Sequence, residues 1–249
     1  MDYDVPSVMK RAERQHLKEN ELEHLARQAR EMFAARRQGT TWLLAAVAIV
    51  GVGALGYVGW RDYVKGQSAS LLADALAVRE ARVGPPPAPG SISTAPYFPT
   101  ERERAQAALT KFKVAADAYP STDAGIFARY QQAATYMTLG TYASAAKTYQ
   151  QVIDTAGSGV YKQMATLGLA EAQARSGQYD QAINSFKDLA QRKDGTLPID
   201  GILMQLGRTY LEAGKRADAQ QTFNRLVEEF PESPFTGDAK RELDNLKKT

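Results

Sequence analysis

The chain contains no cysteine in its 249 residues. That removes disulfides, thiol nucleophiles, thiolate metal sites and any lipid attached through a cysteine, while leaving the compartment open. Histidine is nearly as scarce, with only His16 and His24, eight residues apart on a polar stretch. No metal site is expected from that pair. No glycine-rich phosphate loop and no acidic pair at metal spacing occurs. The sequence therefore reads as a non-enzyme with no catalytic residue, no cofactor and no small-molecule substrate. Charge of one sign is lacking too. The net charge is +3 and basic residues are interleaved with acidic ones, so no basic stripe of the kind nucleic acid requires is formed.

What is present is a period. Ala108/Phe112, Ala145/Tyr149, Ala182/Phe186 and Ala219/Phe223 repeat one alanine–aromatic spacing at intervals of 37 residues. Gly140, Gly177 and Gly214 recur with the same interval. A fixed period in this range marks units too small to bury their apolar faces alone, which must stack on their neighbours. The small residue lets two helices approach closely, and the aromatic fills the space beside the crossing. Each glycine falls where a left-handed helix C-cap would separate two helices. The expected turns between units are 154–159 and 192–198. Stacked repeats build grooves, so a binding surface is expected.

The third full unit, with Leu206-Gly207, Tyr210, Gly214, Ala219, Phe223, Leu226 and Pro231, resembles the tetratricopeptide repeat (TPR) family. The second unit departs from that pattern, with Gln173 in place of the tyrosine and Asp194 in place of the proline. The resemblance implies an all-α solenoid of about 3.5 helix–turn–helix repeats, closed by a capping helix within 234–248. It also implies that the first helix of each unit lines the concave face. Carried over by repeat phase, that face comprises Phe127, Tyr130, Ala134 and Met137, then Met164, Leu167, Glu171 and Ala174, then Gly201, Met204, Arg208 and Leu211. This is an apolar, sulfur-rich surface suited to adaptable contact with other polypeptides. Some family members clamp a C-terminal carboxylate with Lys and Asn. Tyr130 and Ala134 stand at those positions, so that mode is not implied.

Ahead of the repeats, no residue from Gln38 to Trp60 is charged. The run 41–60 would cover about 30 Å as a helix, the thickness of a bilayer's hydrocarbon. Trp42 at one end and Tyr57 and Trp60 at the other sit as interfacial aromatics do. A single transmembrane helix over 38–61 is the reading, with the lipid bilayer as a partner. The long charged stretch ahead of the run argues against an N-terminal signal peptide. Arg27, Arg30, Arg36 and Arg37 precede it and only Arg61 and Lys65 follow closely. That bias places the N-terminus in the cytoplasm and the repeats outside it, in the periplasm of a bacterium's inner membrane.

Residues 1–37 read as a charged cytoplasmic helix with an apolar stripe of Leu22, Leu25, Ala29, Met32 and Phe33. Residues 62–83 read as a helix, 84–100 as a proline-rich loop that breaks regular structure, and 101–249 as the repeat domain. Six of the eleven prolines lie in that loop. Residues 65–83 and 101–119 are expected to form an opening half-unit, with the loop as an insertion between its helices.

The run Gly51-Val-Gly-Ala-Leu-Gly-Tyr-Val-Gly-Trp60-Arg61, followed by Gln67-Ser-Ala-Ser-Leu-Leu-Ala-Asp-Ala-Leu76, resembles the YfgM-type ancillary subunits of the SecYEG translocon. That resemblance implies a scaffold that works with translocon subunits, periplasmic chaperones and exported chains. The turns Tyr119-Pro-Ser121 and Phe230-Pro-Glu-Ser-Pro234 are similar to those of TPR scaffolds of outer-membrane assembly and cell division, an alternative role in the envelope.

Overall fold

The computed structural model describes residues 11–85, 96–192 and 197–248, with side chains from residue 45 onward and at Trp42. The side chains of the stripe expected in the first 37 residues and of both histidines lie outside what is described, as do Asp194 and the centre of the proline-rich segment. The chain divides into two units, Met1–Asp62 and Tyr63–Thr249.

Helix α1 runs from Arg11 to Arg79 without a break. The sequence reading separates three segments there, but no proline lies between Pro6 and Pro85 to interrupt the hydrogen-bond ladder. Trp42, Val47, Ile49, Val50, Val52, Leu55, Tyr57, Val58 and Trp60 are all exposed on it. Among the described residues no helix is long and apolar enough to cross a membrane. The side chains of Thr41, Leu43 and Leu44, which open the apolar run, are not among them.

The helix stops at Arg79, four residues short of the expected end. Arg82–Val83 (β1) pairs in parallel with Tyr97–Phe98 (β2) instead. The expectation that Pro96-Tyr-Phe-Pro99 breaks all regular structure is corrected by this pair. The prolines flank the strand, so Tyr97 and Phe98 keep their N–H groups for pairing. The Gly84 N–H also donates to the Phe98 carbonyl at 3.0 Å.

Among the described residues eight further helices follow: α2 (Glu101–Ala118), α3 (Asp123–Thr138), α4 (Tyr142–Thr155), α5 (Val160–Arg175), α6 (Tyr179–Ala190), α7 (Ile199–Glu212), α8 (Arg216–Glu229) and α9 (Thr236–Lys248). Each packs on the next. Thr100 caps α2, its Oγ1 accepting from the Glu103 N–H and donating to the Glu103 carboxylate. Thr122 caps α3, accepting from the Gly125 N–H at 3.1 Å.

The end of α1 and α2 form the opening half-unit, as expected. Ala75, Ala108, Phe112, Ala115, Ala116 and Ala128 make one buried cluster there, with Leu71, Leu72, Leu76 and Val78 against it. Arg104 ties the segment after α1 to α2 by donating to the Ala81 carbonyl at 3.1 Å. Three full pairs follow, α3/α4, α5/α6 and α7/α8.

The recurring glycines end the first helix of each pair in one way. Gly140, Gly177 and Gly214 have φ of +73°, +80° and +73°. The N–H after each glycine reaches back to the carbonyl of Tyr136, Gln173 or Tyr210 at 2.8–2.9 Å, and the glycine N–H to Met137, Ala174 or Leu211 at 3.0 Å. This is the Schellman arrangement, which satisfies carbonyls that a helix end leaves bare.

The alanine–aromatic pairs are the core of each unit. Ala108, Phe112, Ala145, Tyr149, Ala182, Phe186, Ala219 and Phe223 are all 4% exposed or less, which places the whole period inside the stack. Glycine makes room for two of the rings. A Cβ on Gly207 would lie 2.3 Å from Phe223 Cε1, and one on Gly168 would lie 2.4 Å from Tyr149 Cζ. Helix α9 lays Ala239 and Leu243 onto the last unit and leaves its lysines in water, as a capping helix should.

Candidate protein-binding groove

Helix α3 touches α5 and α5 touches α7, whereas the second helices of successive pairs meet less closely among the described residues. The first helices therefore gather on the tighter, inner side of the stack, and their outward positions form a groove.

One end of the groove is aromatic. Phe127 and Tyr130 lie one turn apart on α3, with ring centroids 6.4 Å apart and nearly parallel. Tyr161 of α5 comes within 5.8 Å of Phe127. Tyr149 stands beneath Tyr130 at 5.6 Å. Tilted rings at these separations attract edge to face, so the row is held in shape before any partner arrives. Phe127, Tyr130 and Tyr161 are half-buried and Tyr149 is buried. Burial, then the nearby Glu171 charge, raises the Tyr130 hydroxyl above its usual pKa. Burial, followed by Tyr130 and Glu171, raises that of Tyr149 further still. Both hydroxyls stay protonated at any physiological pH and act as neutral hydrogen-bonding groups.

The other end is polar. A cavity of about 170 Å3 is lined by Met137, Glu171, Ala174, Arg175, Phe186, Gln205, Arg208, Thr209 and Glu212. Burial pushes the Glu171 carboxyl above its usual range, and Arg175 pulls it back in part. Arg208 donates to Asp238 of α9 at 3.3 Å. The expected apolar, sulfur-rich surface thus holds for only part of the groove.

Of the residues assigned by repeat phase, Phe127 and Tyr130 stand in the aromatic row and Met137, Glu171, Ala174 and Arg208 line the cavity. Phe127, Tyr130, Ala134, Met137, Met164, Leu167, Glu171, Gly201, Arg208 and Leu211 are half-buried. Leu167 and Leu211 also pack against the large cluster formed by the last repeats. Met204 is a correction. It is 1% exposed and belongs to that cluster's interior. Ala174 is buried as well, at the cavity floor. The reason is the capping segment, which covers α7 where a further repeat would stand. A Cβ on Gly201 would lie 3.4 Å from Phe235 Cε2, Ser233 donates to Asp200 at 2.6 Å, and Arg208 is tied to Asp238. Arg175, Gln205, Glu212 and Tyr161 were not singled out from sequence. Arg175 and Glu212 share one repeat phase, one residue beyond the assigned Ala174 and Leu211, and that neighbouring phase was the available signal.

Among the described residues no cluster of His, Asp or Glu could hold a metal ion. What these helices present is a groove on a stack of paired helices, aromatic at one end and polar at the other. The profile of the family described as tetratricopeptide repeat-like domain matches residues 36–248, and the chain belongs to that family. No curated protein matches the chain. Among solved structures it is similar to the nearly identical TPR-like repeats of a candidate kinesin light chain from Podosopora anserina. A single-substitution form of those repeats shares 16% identity at a TM-score of 0.52, over 59% of this chain and 79% of that one. Another structure of the same repeats gives 15%, 0.52, 59% and 80%. A tetratricopeptide repeat protein from Parabacteroides merdae gives 14% identity and a TM-score of 0.48, over 59% of this chain and 55% of that one. The repeats form a scaffold for binding other proteins.

Proposed function

We propose that this scaffold is tethered to the bacterial inner membrane and assists polypeptides leaving the export translocon. The observation that carries the tether is on α1. Trp42 and Leu55 are each 75% exposed and Ile49 is 73% exposed, within a run of 23 residues, Gln38 to Trp60, that has no charge. Water does not tolerate so long a bare apolar helix, and the repeat domain leaves few large apolar side chains, such as Val114 and Val160, exposed. The bilayer is the solvent that suits the run, with Trp42, Tyr57 and Trp60 at its borders. The arginine bias puts the N-terminus inside and the groove in the periplasm. The translocon role rests on the YfgM-type resemblance of the run and of residues 67–76.

Two measurements test this. Protease added to spheroplasts should digest the repeat domain, and protection there would refute the orientation. Photocrosslinkers at Tyr130 and Tyr161 should capture translocon subunits, periplasmic chaperones or exported chains. Capture of outer-membrane assembly or division factors instead would favour the envelope scaffold.

A further inference from the structure

The aromatic end of the groove has hydroxyls that the fold leaves unused beside half-buried ring faces. Phe127 and Tyr130 stand 6.4 Å apart with their planes 15° from parallel, and Tyr161 comes from the next unit to 5.8 Å of Phe127. The Tyr130 and Tyr161 hydroxyls make no hydrogen bond among the described residues. Burial keeps that of Tyr130 protonated, so it is a donor. Val160, 45% exposed, extends the apolar surface beside Tyr161. Rings with unpaired donors suit a ligand that is itself apolar and rich in bare carbonyls.

The chain carries such a segment. Four of the five residues in Pro85-Pro-Pro-Ala-Pro89 are proline. Each proline lacks an N–H and has a fixed φ, so the run offers carbonyls that nothing within it satisfies. Proline-rich segments dock on aromatic-lined grooves for this reason. A peptide of this sequence in the polyproline II form has three residues per turn, which sets Pro86 and Pro89 on one side, about 9 Å apart. The row, with steps of 6.4 and 5.8 Å, has room for both. Charge does not oppose the contact. Glu171 acts on Tyr130, and no residue from Gly84 to Thr100 is charged.

The run of one copy does not reach its own row. Gly84 is pinned to β2 through its N–H, and Pro87 lies three residues further on, about 11 Å at full extension. Arg129, next to Tyr130, meets the Ala116 carbonyl at 3.3 Å and Asp117 at 2.8 Å, near the far end of α2. Fifteen residues, about 22 Å at helical rise, separate Ala116 from Glu101, where α2 begins just after β2.

We infer that the aromatic row takes the proline run of a second copy of this chain, joining neighbouring copies groove to run. This rests on the protein-binding reading of the groove and names an occupant for it. In the tethered protein, run and groove both follow the same span and lie on one side of the membrane. Confinement there raises their effective concentration.

The test uses the full chain in mild-detergent micelles and a fluorescein-labelled peptide of residues 83–91. Fluorescence anisotropy should show this peptide binding about tenfold more tightly than a control with alanine at every proline. Phe127→Ala should weaken it about tenfold. Tyr161→Phe, which keeps the ring and removes the hydroxyl, should weaken it about threefold. In vesicles holding the full chain, a photocrosslinker at Val160 should yield a dimer that grows with protein density. Pro86→Ala, Pro87→Ala and Pro89→Ala together should abolish that dimer. Equal binding of both peptides, or binding unchanged by Phe127→Ala and Tyr161→Phe, overturns the inference. So does a crosslink inside one chain that is independent of density. Capture of translocon subunits, chaperones or exported chains at Val160 without a dimer leaves the protein-binding reading standing and removes this occupant. If neither peptide nor partner is held, both readings fall together.

Discussion

Replacing Gly207 with alanine is expected to destabilise the last repeat, although alanine is the better helix former by about 1 kcal/mol. The added Cβ would sit 2.3 Å from Phe223 Cε1, where ordinary contact begins at 3.4 Å, so something must move by 3.4 − 2.3 = 1.1 Å. Phe223 is 0% exposed and packed in a cluster with Ala219, Leu226 and Tyr210, so its ring has nowhere to go. Overpacking costs about 1–3 kcal/mol, and so deep an overlap with a fully buried ring belongs at the upper end, about 2–3 kcal/mol. The clash outweighs the propensity gain, and the net loss is about 1–2 kcal/mol. At about 2–4 °C per kcal/mol for a domain of this size, the midpoint should fall by roughly 2–8 °C. Far-UV circular dichroism of the full chain in mild detergent, with heat and urea, measures it. Gly237→Ala is the control, because its Cβ meets nothing within 4 Å and its φ is an ordinary helical one, so stability should hold or rise. Phe223→Leu added to Gly207→Ala should recover part of the loss, since the two sites share one contact. A Gly207→Ala protein as stable as the parent would refute the close-approach reasoning.

Further outcomes follow from the same geometry. Met204→Ala should cost about 2–5 kcal/mol as a buried large-to-small change, whereas Phe127→Ala, half-buried on the groove, should lower peptide binding far more than urea stability. Gly214→Ala places a side chain at φ +73° and should cost about 1 kcal/mol through the strained helix end, read from urea midpoints. Glu171→Gln should stabilise the protein at neutral pH. The folded-state carboxyl lies above its unfolded value, so the folded chain binds more protons and wild-type stability falls as pH rises between the two. The advantage of the variant should therefore vanish below the unfolded carboxylate pKa, near 4, and urea melts at both pH values check the sign. Tyr130, Tyr149, Arg175, Arg208 and Glu212 are the groups around it, and both tyrosines stay neutral throughout that window. Lys215→Ala should leave stability unchanged within error, because its 2.7 Å pair with Asp180 is solvent-exposed.

The repeat architecture was legible because its physics is local and periodic. A glycine that must end a helix with positive φ, and an aromatic that must fill the space beside a small residue, leave a mark every 37 residues. Gly140, Gly177 and Gly214 and the four buried alanine–aromatic pairs stand where that mark puts them. The strand pair at 82–83 and 97–98 left no such mark, because two residues are too few for alternation to show. The groove was legible only in outline. Repeat phase says which way a side chain leaves its own helix, and so it found Phe127, Tyr130, Met137 and Glu171. It says nothing of what arrives from elsewhere in the chain. Phe235 and Asp238 come over α7 from the capping segment, and burial of Met204 follows from that packing rather than from its position in the period.

The order of amino acids by itself determined the paired helices, their interval, their glycine ends and the uncharged run before them, since each depends on residues a few positions apart. Only the tertiary structure decided that Glu171 and Arg208 line one cavity and that Arg208 is tied to Asp238. Those facts depend on the meeting of α3, α5, α7 and α9, whose residues are far apart in the chain and whose separation in space no local pattern encodes.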